Sequence, residues 1–76
     1  MLEIVVGIMA ECLEKPSEEI NGSDEFRNYG EWDSLAYLSV IAAIDERYDY
    51  VVPLEDFRSC RTVASLAEYL ENHLGK

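Results

Sequence analysis

Residues 34–48 contain no proline or glycine and are densely apolar, and this stretch constrains the fold more than any other. A helix is predicted here, because the preceding residues 16–33 carry the proline, Asn-Gly and glycine signals that are typical of turns. The helix is predicted to begin at Ser34, directly after the loop. Asp33 suits the N-cap position, because its carboxylate can accept a hydrogen bond from the backbone N–H of Ala36.

Ser34 is predicted to occupy the first helical position, with its hydroxyl facing solvent. Backbone amides at a helix start are unsatisfied and lie at the positive end of the helix dipole, so this position favours a covalently attached phosphate. Leu35 is predicted to pack inward and thereby to fix the direction in which Ser34 points. Trp32 and Tyr37 have the spacing of a hydrophobic staple, which sets the angle at which the chain enters the helix.

The sequence predicts an all-α fold, a small four-helix bundle of three longer helices and one short one, in a single domain of 76 residues. The first helix is predicted over residues 2–15. Pro53 is placed to start the short helix around residues 54–58, and Thr62 is predicted to cap the last helix, which Gly75 ends. Each of the three longer helices is predicted to have an inner face of apolar residues. These are Leu2, Val5, Val6, Met9 and Leu13 in the first helix, Leu35, Leu38, Ile41, Ile44 and Tyr48 in the second, and Val63, Leu66, Tyr69, Leu70 and Leu74 in the last.

The long loop, residues 16–33, is predicted to be ordered rather than a flexible linker. Its large apolar side chains, Ile20, Phe26, Tyr29 and Trp32, can anchor it to the core. Loops of this length are uncommon in compact domains, so either a functional role or a helical turn inside the loop is expected.

Sixteen acidic and six basic residues give the chain a net charge of −10. This charge argues against nucleic acid and against an anionic membrane as partners. A basic docking surface on another protein is the natural complement, although an acidic surface that serves only solubility has the same composition. A monomer is expected.

Two cysteines, Cys12 and Cys60, lie far apart in the sequence and are interpreted as small apolar fillers with free thiols. No signal peptide is recognised, since the apolar residues 4–10 lack a basic region before them and are too short to span a bilayer. A cytoplasmic location without membrane insertion is therefore expected.

The start of the second helix, Asp33-Ser34-Leu35, resembles the attachment motif of the acyl carrier proteins. The resemblance covers nearly the whole chain. Residues 52–57, Val-Pro-Leu-Glu-Asp-Phe, are similar to that family's Ile-Pro-acidic stretch and short third helix, and Thr62-Val63 to the Thr-Val that opens its last helix. The triplet alone occurs by chance in many proteins. A chain of this length that has the triplet and the other motifs in this order and at this spacing is specific to the family.

The resemblance implies a carrier protein and not an enzyme. In the family, the serine that corresponds to Ser34 carries 4′-phosphopantetheine, which a phosphopantetheinyl transferase adds from coenzyme A. The terminal thiol of this cofactor holds an acyl group as a thioester, so neither cysteine of the chain is needed for chemistry. Asp33 is expected to help present the serine to the transferase and its magnesium. Further expected partners are an acyl-loading ligase or transferase and downstream acyl-using enzymes with basic docking faces.

Three departures from the family pattern bear on the pathway. The usual Asp-Leu-Gly before the motif is replaced by Tyr29-Gly30-Glu31, and two positions that are often acidic in fatty-acid carriers are Ala36 and Ser39. A specialised pathway is therefore favoured over bulk fatty-acid synthesis. Peptidyl carriers usually have glycine where this chain has Asp33, so an acyl carrier is favoured and an aminoacyl or peptidyl carrier is the second choice.

The second helix is apolar nearly all round, so it must either bury more than one side or leave part of its surface for a partner. The sequence is compatible both with tighter packing of this helix against the long loop and with an exposed docking patch. In the second interpretation, apolar side chains next to Ser34 give affinity and acidic side chains farther along steer a basic partner. The predicted partner-binding residues are Trp32, Tyr37, Val40, Asp45, Glu46, Asp49, Glu55 and Asp56.

The residues present disfavour other chemistry. A self-contained hydrolase would need a base for Ser34, and the one histidine, His73, falls in the final turn of the last helix, where an exposed histidine is common. Two cysteines and one histidine without paired spacing predict no zinc site, and the acidic pairs lack the periodicity of a calcium loop, so no metal is expected. The alternative from another class is a small acidic helical adaptor that binds a partner without a prosthetic group.

Overall fold

A computed structural model describes residues 1–74 of the chain. Over these residues the fold is all-α, as predicted, and the only pairing of extended backbone is an isolated antiparallel bridge between Glu25 and Thr62. Gly75, which was predicted to end the last helix, lies outside the described residues. The four helices are α1 (Leu2–Leu13), α2 (Ser34–Tyr48), α3 (Leu54–Ser59) and α4 (Val63–Leu74).

Helices α1 and α2 both end on a non-glycine residue with left-handed backbone. Glu14 has φ 55° and donates its backbone N–H to the carbonyl of Ala10. Helix α1 therefore ends at Leu13, two residues before the predicted end at Lys15. Asp49 has φ 54° and donates in the same way to Asp45. These bonds satisfy carbonyl groups that a helix end otherwise leaves without partners.

Helix α1 packs against both α2 and α4, and its buried face differs from the prediction. Val5, Met9 and Leu13 are buried as predicted, together with Ile8, which the predicted face omitted. Leu2 was wrongly placed inside, since 41% of it is exposed. On α4 the prediction is confirmed for the three residues that form the centre of its face, Val63, Leu66 and Leu70; Ala67 is also buried, while Tyr69 and Leu74 are partly buried at the edge.

Helix α2 buries a different face from the predicted one. Ala36, Val40 and Ile44 are buried, whereas Leu35 is 73% exposed and Leu38 is 57% exposed. The reason is geometric: at 3.6 residues per turn, a series in steps of four drifts by only about 40° at each step, whereas a series in steps of three drifts by about 60° in the opposite direction. The predicted series used three steps of three from Leu35 to Ile44, which places these two residues about 180° apart on the helix. Of its members only Ile44 is fully buried, and Ile41 and Tyr48 are partly buried.

The long loop is ordered, as predicted, and contains two short 3₁₀ turns at Ser17–Glu19 and Phe26–Asn28. Ile20 and Phe26 are buried, and Tyr29 and Trp32 pack partly against the core. The loop also caps α4. The carbonyl of Gly22 accepts a hydrogen bond from the N–H of Ala64 at 2.8 Å, and that of Asp24 accepts one from Val63 at 3.0 Å.

Candidate functional site

The start of α2 has the geometry that the sequence predicts. Asp33 is in extended backbone, and its Oδ1 accepts a hydrogen bond from the N–H of Ala36 at 2.8 Å. Ser34 is the first residue of α2 and is exposed. The cap thus determines where the helix begins and places the Ser34 hydroxyl at the surface.

Three aromatic rings form the floor beside Ser34. Phe57 of α3 is fully buried, and the ring of Trp32 stacks on it nearly in parallel, with an interplanar angle of 10° and centroids 6.1 Å apart. Tyr37 meets the same ring edge-on at 5.2 Å. The two members of the predicted staple are therefore both packed on Phe57, which joins the entry of α2 to α3. Offset and edge-on pairs of this kind are favourable arrangements for aromatic rings.

An open groove of about 370 Å³ lies above this floor. It lies between the long loop, the start of α2 and α3. Its lining combines aromatic rings, the exposed serine, one carboxylate and two guanidinium groups. The lining residues are Arg27, Trp32, Asp33, Ser34, Tyr37, Leu54, Phe57 and Arg58.

Arg27 is built into the wall of the groove by its contacts with the end of α3. Its guanidinium donates to the carbonyl of Phe57 at 2.8 Å and to that of Cys60 at 2.6 Å. The same group lies over the ring of Phe26, 4.8 Å from the centroid, and over that of Phe57 at 5.2 Å. Carbonyl groups at a helix end have no partner inside the helix, so Arg27 both caps α3 and presents a positive charge at the groove.

The role predicted for Leu35 is wrong. Its side chain points away from the core, because on this helix the neighbouring Ala36 faces inward. The direction of Ser34 is set instead by the Asp33 cap and by the burial of Ala36. Leu35 is an exposed leucine directly beside the serine.

Val40 was predicted to face a partner and is instead fully buried, at 0% exposure. It belongs to the same inner series as Ala36 and Ile44, so it supports the fold and is not accessible to a partner. Trp32 and Tyr37 are each half-buried, with part of each ring exposed at the groove. Val40 is therefore accounted for by packing of α2 against its surroundings. The large apolar side chains that α2 exposes are Leu35 and Leu38.

The predicted acidic residues fall into two groups. Glu46, Asp49 and Glu55 are exposed, and Asp45 is half-buried. Asp56 is also half-buried, and its carboxylate accepts a hydrogen bond from the hydroxyl of Tyr69 at 2.6 Å. Burial raises the pKa of the Tyr69 phenol above its ordinary value, and the bond to Asp56 adds to this effect. Asp56 therefore holds α3 to α4.

The cysteines and the histidine lie away from the groove. Cys60 is buried and Cys12 is half-buried, and both have free thiols. Burial raises the pKa of both thiols above the ordinary value, which disfavours the reactive thiolate. His73 stacks on Tyr69 with ring centroids 4.1 Å apart, at the far end of α4. None of the three lines the groove that holds Ser34.

Four residues that line the groove were missed by the sequence analysis. They come from the long loop and from α3, and only folding brings them beside Ser34: Arg27, Leu54, Phe57 and Arg58. The available signal was weak: Arg27 and Arg58 are basic residues in a strongly acidic chain.

The model of the family described as phosphopantetheine attachment site matches residues 3–70. The chain belongs to the acyl carrier protein family. It is also similar to a holo acyl carrier protein from Nitrosomonas europaea whose structure was solved by NMR in solution, with 29% sequence identity and a TM-score of 0.79. The match covers 99% of this chain and 96% of that one.

As a member of this family the protein is a non-catalytic carrier, and its prosthetic group is 4′-phosphopantetheine. Carriers of this type interact with a phosphopantetheinyl transferase and with acyl-handling enzymes. Among residues 1–74, no helix is long and apolar enough to cross a membrane. The groove suits the prosthetic group, because it offers an exposed hydroxyl, an apolar floor and two cations for an anionic phosphate.

Proposed function

We propose that Ser34 is the attachment point of the phosphopantetheine arm and that the protein shuttles an acyl or related group between partner enzymes as a thioester on that arm. The observation that carries this proposal is the exposed Ser34 hydroxyl at the first position of α2, opening into the groove. When bound, the arm supplies the thiol that forms the thioester. The protein supplies a rigid, capped point from which the arm extends.

Asp33 has two roles in this proposal. One carboxylate oxygen holds the helix start through Ala36, and Oδ2 makes no hydrogen bond within residues 1–74. The second oxygen is thus available to face the transferase and its magnesium, in accord with the role that the family resemblance implies. Loss of Asp33 is expected to impair both the stability of the helix start and the presentation of Ser34.

Partner enzymes are proposed to dock on a patch formed by Leu35, Leu38 and Leu54, called the docking patch below. All three side chains are at least half exposed, and Leu54 also lines the groove. Exposed leucines beside the attachment point provide the apolar contact that Val40 was wrongly expected to give. The partner is expected to pair this apolar contact with a basic surface, which matches the acidic side chains of Asp45, Glu46, Asp49 and Glu55.

The pathway is proposed to be a specialised one, with an acyl cargo, and an aminoacyl or peptidyl cargo is the second choice. Of the two positions that are often acidic in fatty-acid carriers, Ala36 is buried and Ser39 is exposed but neutral. Ala36 cannot be replaced by a charged docking residue without placing that charge against the core. The acidic residues of α2 lie farther from Ser34 than those two positions, which supports enzymes different from those of bulk fatty-acid synthesis. A cytoplasmic setting is proposed on the basis of the free thiols.

The attachment is tested by intact mass after incubation with coenzyme A, magnesium and a broad-specificity phosphopantetheinyl transferase. A gain that matches one phosphopantetheine is expected for the natural sequence and for Ser39→Ala, which removes another exposed serine from the same helix. No gain is expected for Ser34→Ala. An unchanged mass of the natural sequence would refute attachment and favour an acidic adaptor without a prosthetic group.

A further inference from the structure

The charge of the groove is opposite to the charge of the molecule. The chain has only six basic residues and a net charge of −10, yet two of the six, Arg27 and Arg58, line the groove that holds Ser34. Asp33 is the one carboxylate in the lining, so the lining has two positive charges and one negative charge. The groove is therefore a local cationic site on an acidic protein, and such a site attracts an anion.

The two arginines differ in how they are held. Arg27 is fixed by its bonds to Phe57 and Cys60, so it presents a positioned charge. Arg58 is exposed in the last turn of α3 and forms no ion pair with any carboxylate of residues 1–74. By contrast, Arg61 lies 3.7 Å from the carboxylate of Glu25. Arg58 therefore has its guanidinium available for a ligand.

We propose that Arg58, beside the fixed charge of Arg27, binds the phosphate diester that joins the prosthetic arm to Ser34. This inference rests on the proposed attachment at Ser34. A guanidinium group matches the paired oxygens of a phosphate and forms short, charge-assisted hydrogen bonds with them. The contact holds the first part of the arm over the floor of Trp32, Tyr37 and Phe57, on the α3 side of Ser34.

A carboxylate at the end of a dicarboxylic cargo has the same oxyanion chemistry as the phosphate. The proposed attachment favours the phosphate, because its phosphorus would be bonded to the oxygen of Ser34 and would so stay at the groove. A cargo carboxylate is separated from Ser34 by the whole arm. The two sources are distinguished by comparing the thiol form of the arm with acetyl and malonyl thioesters, since only malonyl adds a carboxylate.

The test uses NMR of the full chain with ¹⁵N-labelled arginine side chains, after intact mass has established that the arm is attached to Ser34. The Nε–H signal of Arg58 is expected to move between the unmodified and the thiol form, while that of Arg47, an exposed arginine of α2, stays in place. The ³¹P signal of the diester in Arg58→Gln is expected to shift to its position in the urea-unfolded protein. Arg47→Gln is expected to leave the ³¹P signal unchanged.

Three results would overturn the inference. If the arm is attached but neither the Arg58 signal nor the ³¹P signal responds, the arginine does not bind the phosphate, while attachment at Ser34 stands. If Arg58 responds only to the malonyl form, the cargo carboxylate is the ligand instead. If the mass shows no attachment at Ser34, this inference fails together with the proposed function.

Discussion

One apolar face of α2 is buried and the other is exposed, although both consist of aliphatic residues. The inward face consists of Ala36, Val40 and Ile44, and the outward face presents the larger Leu35 and Leu38 to solvent. Full burial of a leucine contributes roughly 1.5–3 kcal/mol, so the fold forgoes a substantial stabilisation at each exposed leucine. The angular position on the helix, and not the size of the side chain, decides which residues support the fold.

The outward face adjoins Ser34, so its exposure is expected to matter for function. Leu35 is the next residue after the serine, and Leu38 lies one turn farther along on the same side. A partner that covers these leucines recovers the burial that the isolated carrier forgoes. The inward face then provides folding stability, while the outward face is free to provide affinity for enzymes.

The largest expected effect comes from placing a charge on the inward face. Val40→Glu is expected to destabilise the protein by at least about 4 kcal/mol, because an ionised carboxylate would be buried without a partner. Leu38→Glu, two positions earlier, is expected to change the free energy of unfolding by no more than about 0.5 kcal/mol. Urea denaturation followed by circular dichroism measures both values.

If Val40→Glu is too unstable to measure, Val40→Ala provides a milder test of the same face. Its expected cost is about 2 kcal/mol, from lost apolar burial and the cavity that remains. Equal stability losses for the Val40 and Leu38 variants would contradict the assignment of folding stability to the inward face alone.

The next effect concerns the affinity of partner enzymes for the outward face. Leu38→Glu is expected to weaken binding of the native partner by roughly tenfold or more, because it removes an apolar contact of the docking patch. Glu46→Lys is expected to weaken binding by roughly threefold at low salt, mainly through a slower association rate. Binding isotherms at two salt concentrations measure both losses.

The two variants are also expected to differ in their salt dependence. The loss caused by Leu38→Glu should persist at high salt, whereas the loss caused by Glu46→Lys should shrink as charges are screened. A greater loss of affinity for Glu46→Lys than for Leu38→Glu at both salt concentrations would show that charged contacts, and not the outward leucines, dominate docking.

Much of the fold could be predicted from local signals in the sequence. The Asp33 and Thr62 caps, the start of the short helix after Pro53 and the anchoring of the loop by Phe26 each depend on a few neighbouring residues. The inward face of α2 could not be assigned in this way, because the helix is apolar nearly all round. Hydrophobic periodicity identifies a face only when polar residues mark the opposite side.

The candidate site was predicted where its residues lie within a few positions of the attachment motif, namely at Trp32, Asp33, Ser34 and Tyr37. Asp33 and Ser34 are adjacent in the sequence, so their arrangement followed from the helix start. The pairing of Arg27 with the end of α3 is a contact between distant segments, and local pattern gives no information about it. The groove and its positive charge therefore emerged only from the folded structure.

A smaller effect is expected from the cap that determines where α2 begins. Asp33→Ala is expected to cost about 1 kcal/mol of stability, because the N–H of Ala36 loses its acceptor. It should also slow modification of Ser34 by the transferase beyond what this loss explains. Thr62→Ala is a matched control, since Thr62 caps α4 through the N–H of Ser65 at 3.1 Å. If both variants are modified at the rate of the natural sequence, the presentation role of Asp33 is wrong.

The smallest expected effect separates the two faces of α2 by their response to salt. The outward side carries Glu46, and Asp49, the residue directly after α2, is also exposed, whereas the inward side is purely apolar. Within residues 1–74 only three ion pairs occur, and sixteen acidic residues face six basic ones in the whole chain. Repulsion should therefore outweigh pairing, and screening should stabilise the fold.

Melting temperature is expected to rise by about 3 °C between low and moderate sodium chloride, which corresponds to roughly 0.5 kcal/mol in a domain of this size. Glu46→Gln should raise the melting temperature at low salt and reduce its dependence on salt, because it removes one of the repelling charges. Val40→Ala should lower the melting temperature at every salt concentration without changing that dependence, since an apolar contact is not screened. If the melting temperature of the natural sequence stays constant or falls with salt, favourable pairing already compensates the repulsion within its acidic surface. The outward face would then have no charge repulsion for a basic partner to relieve.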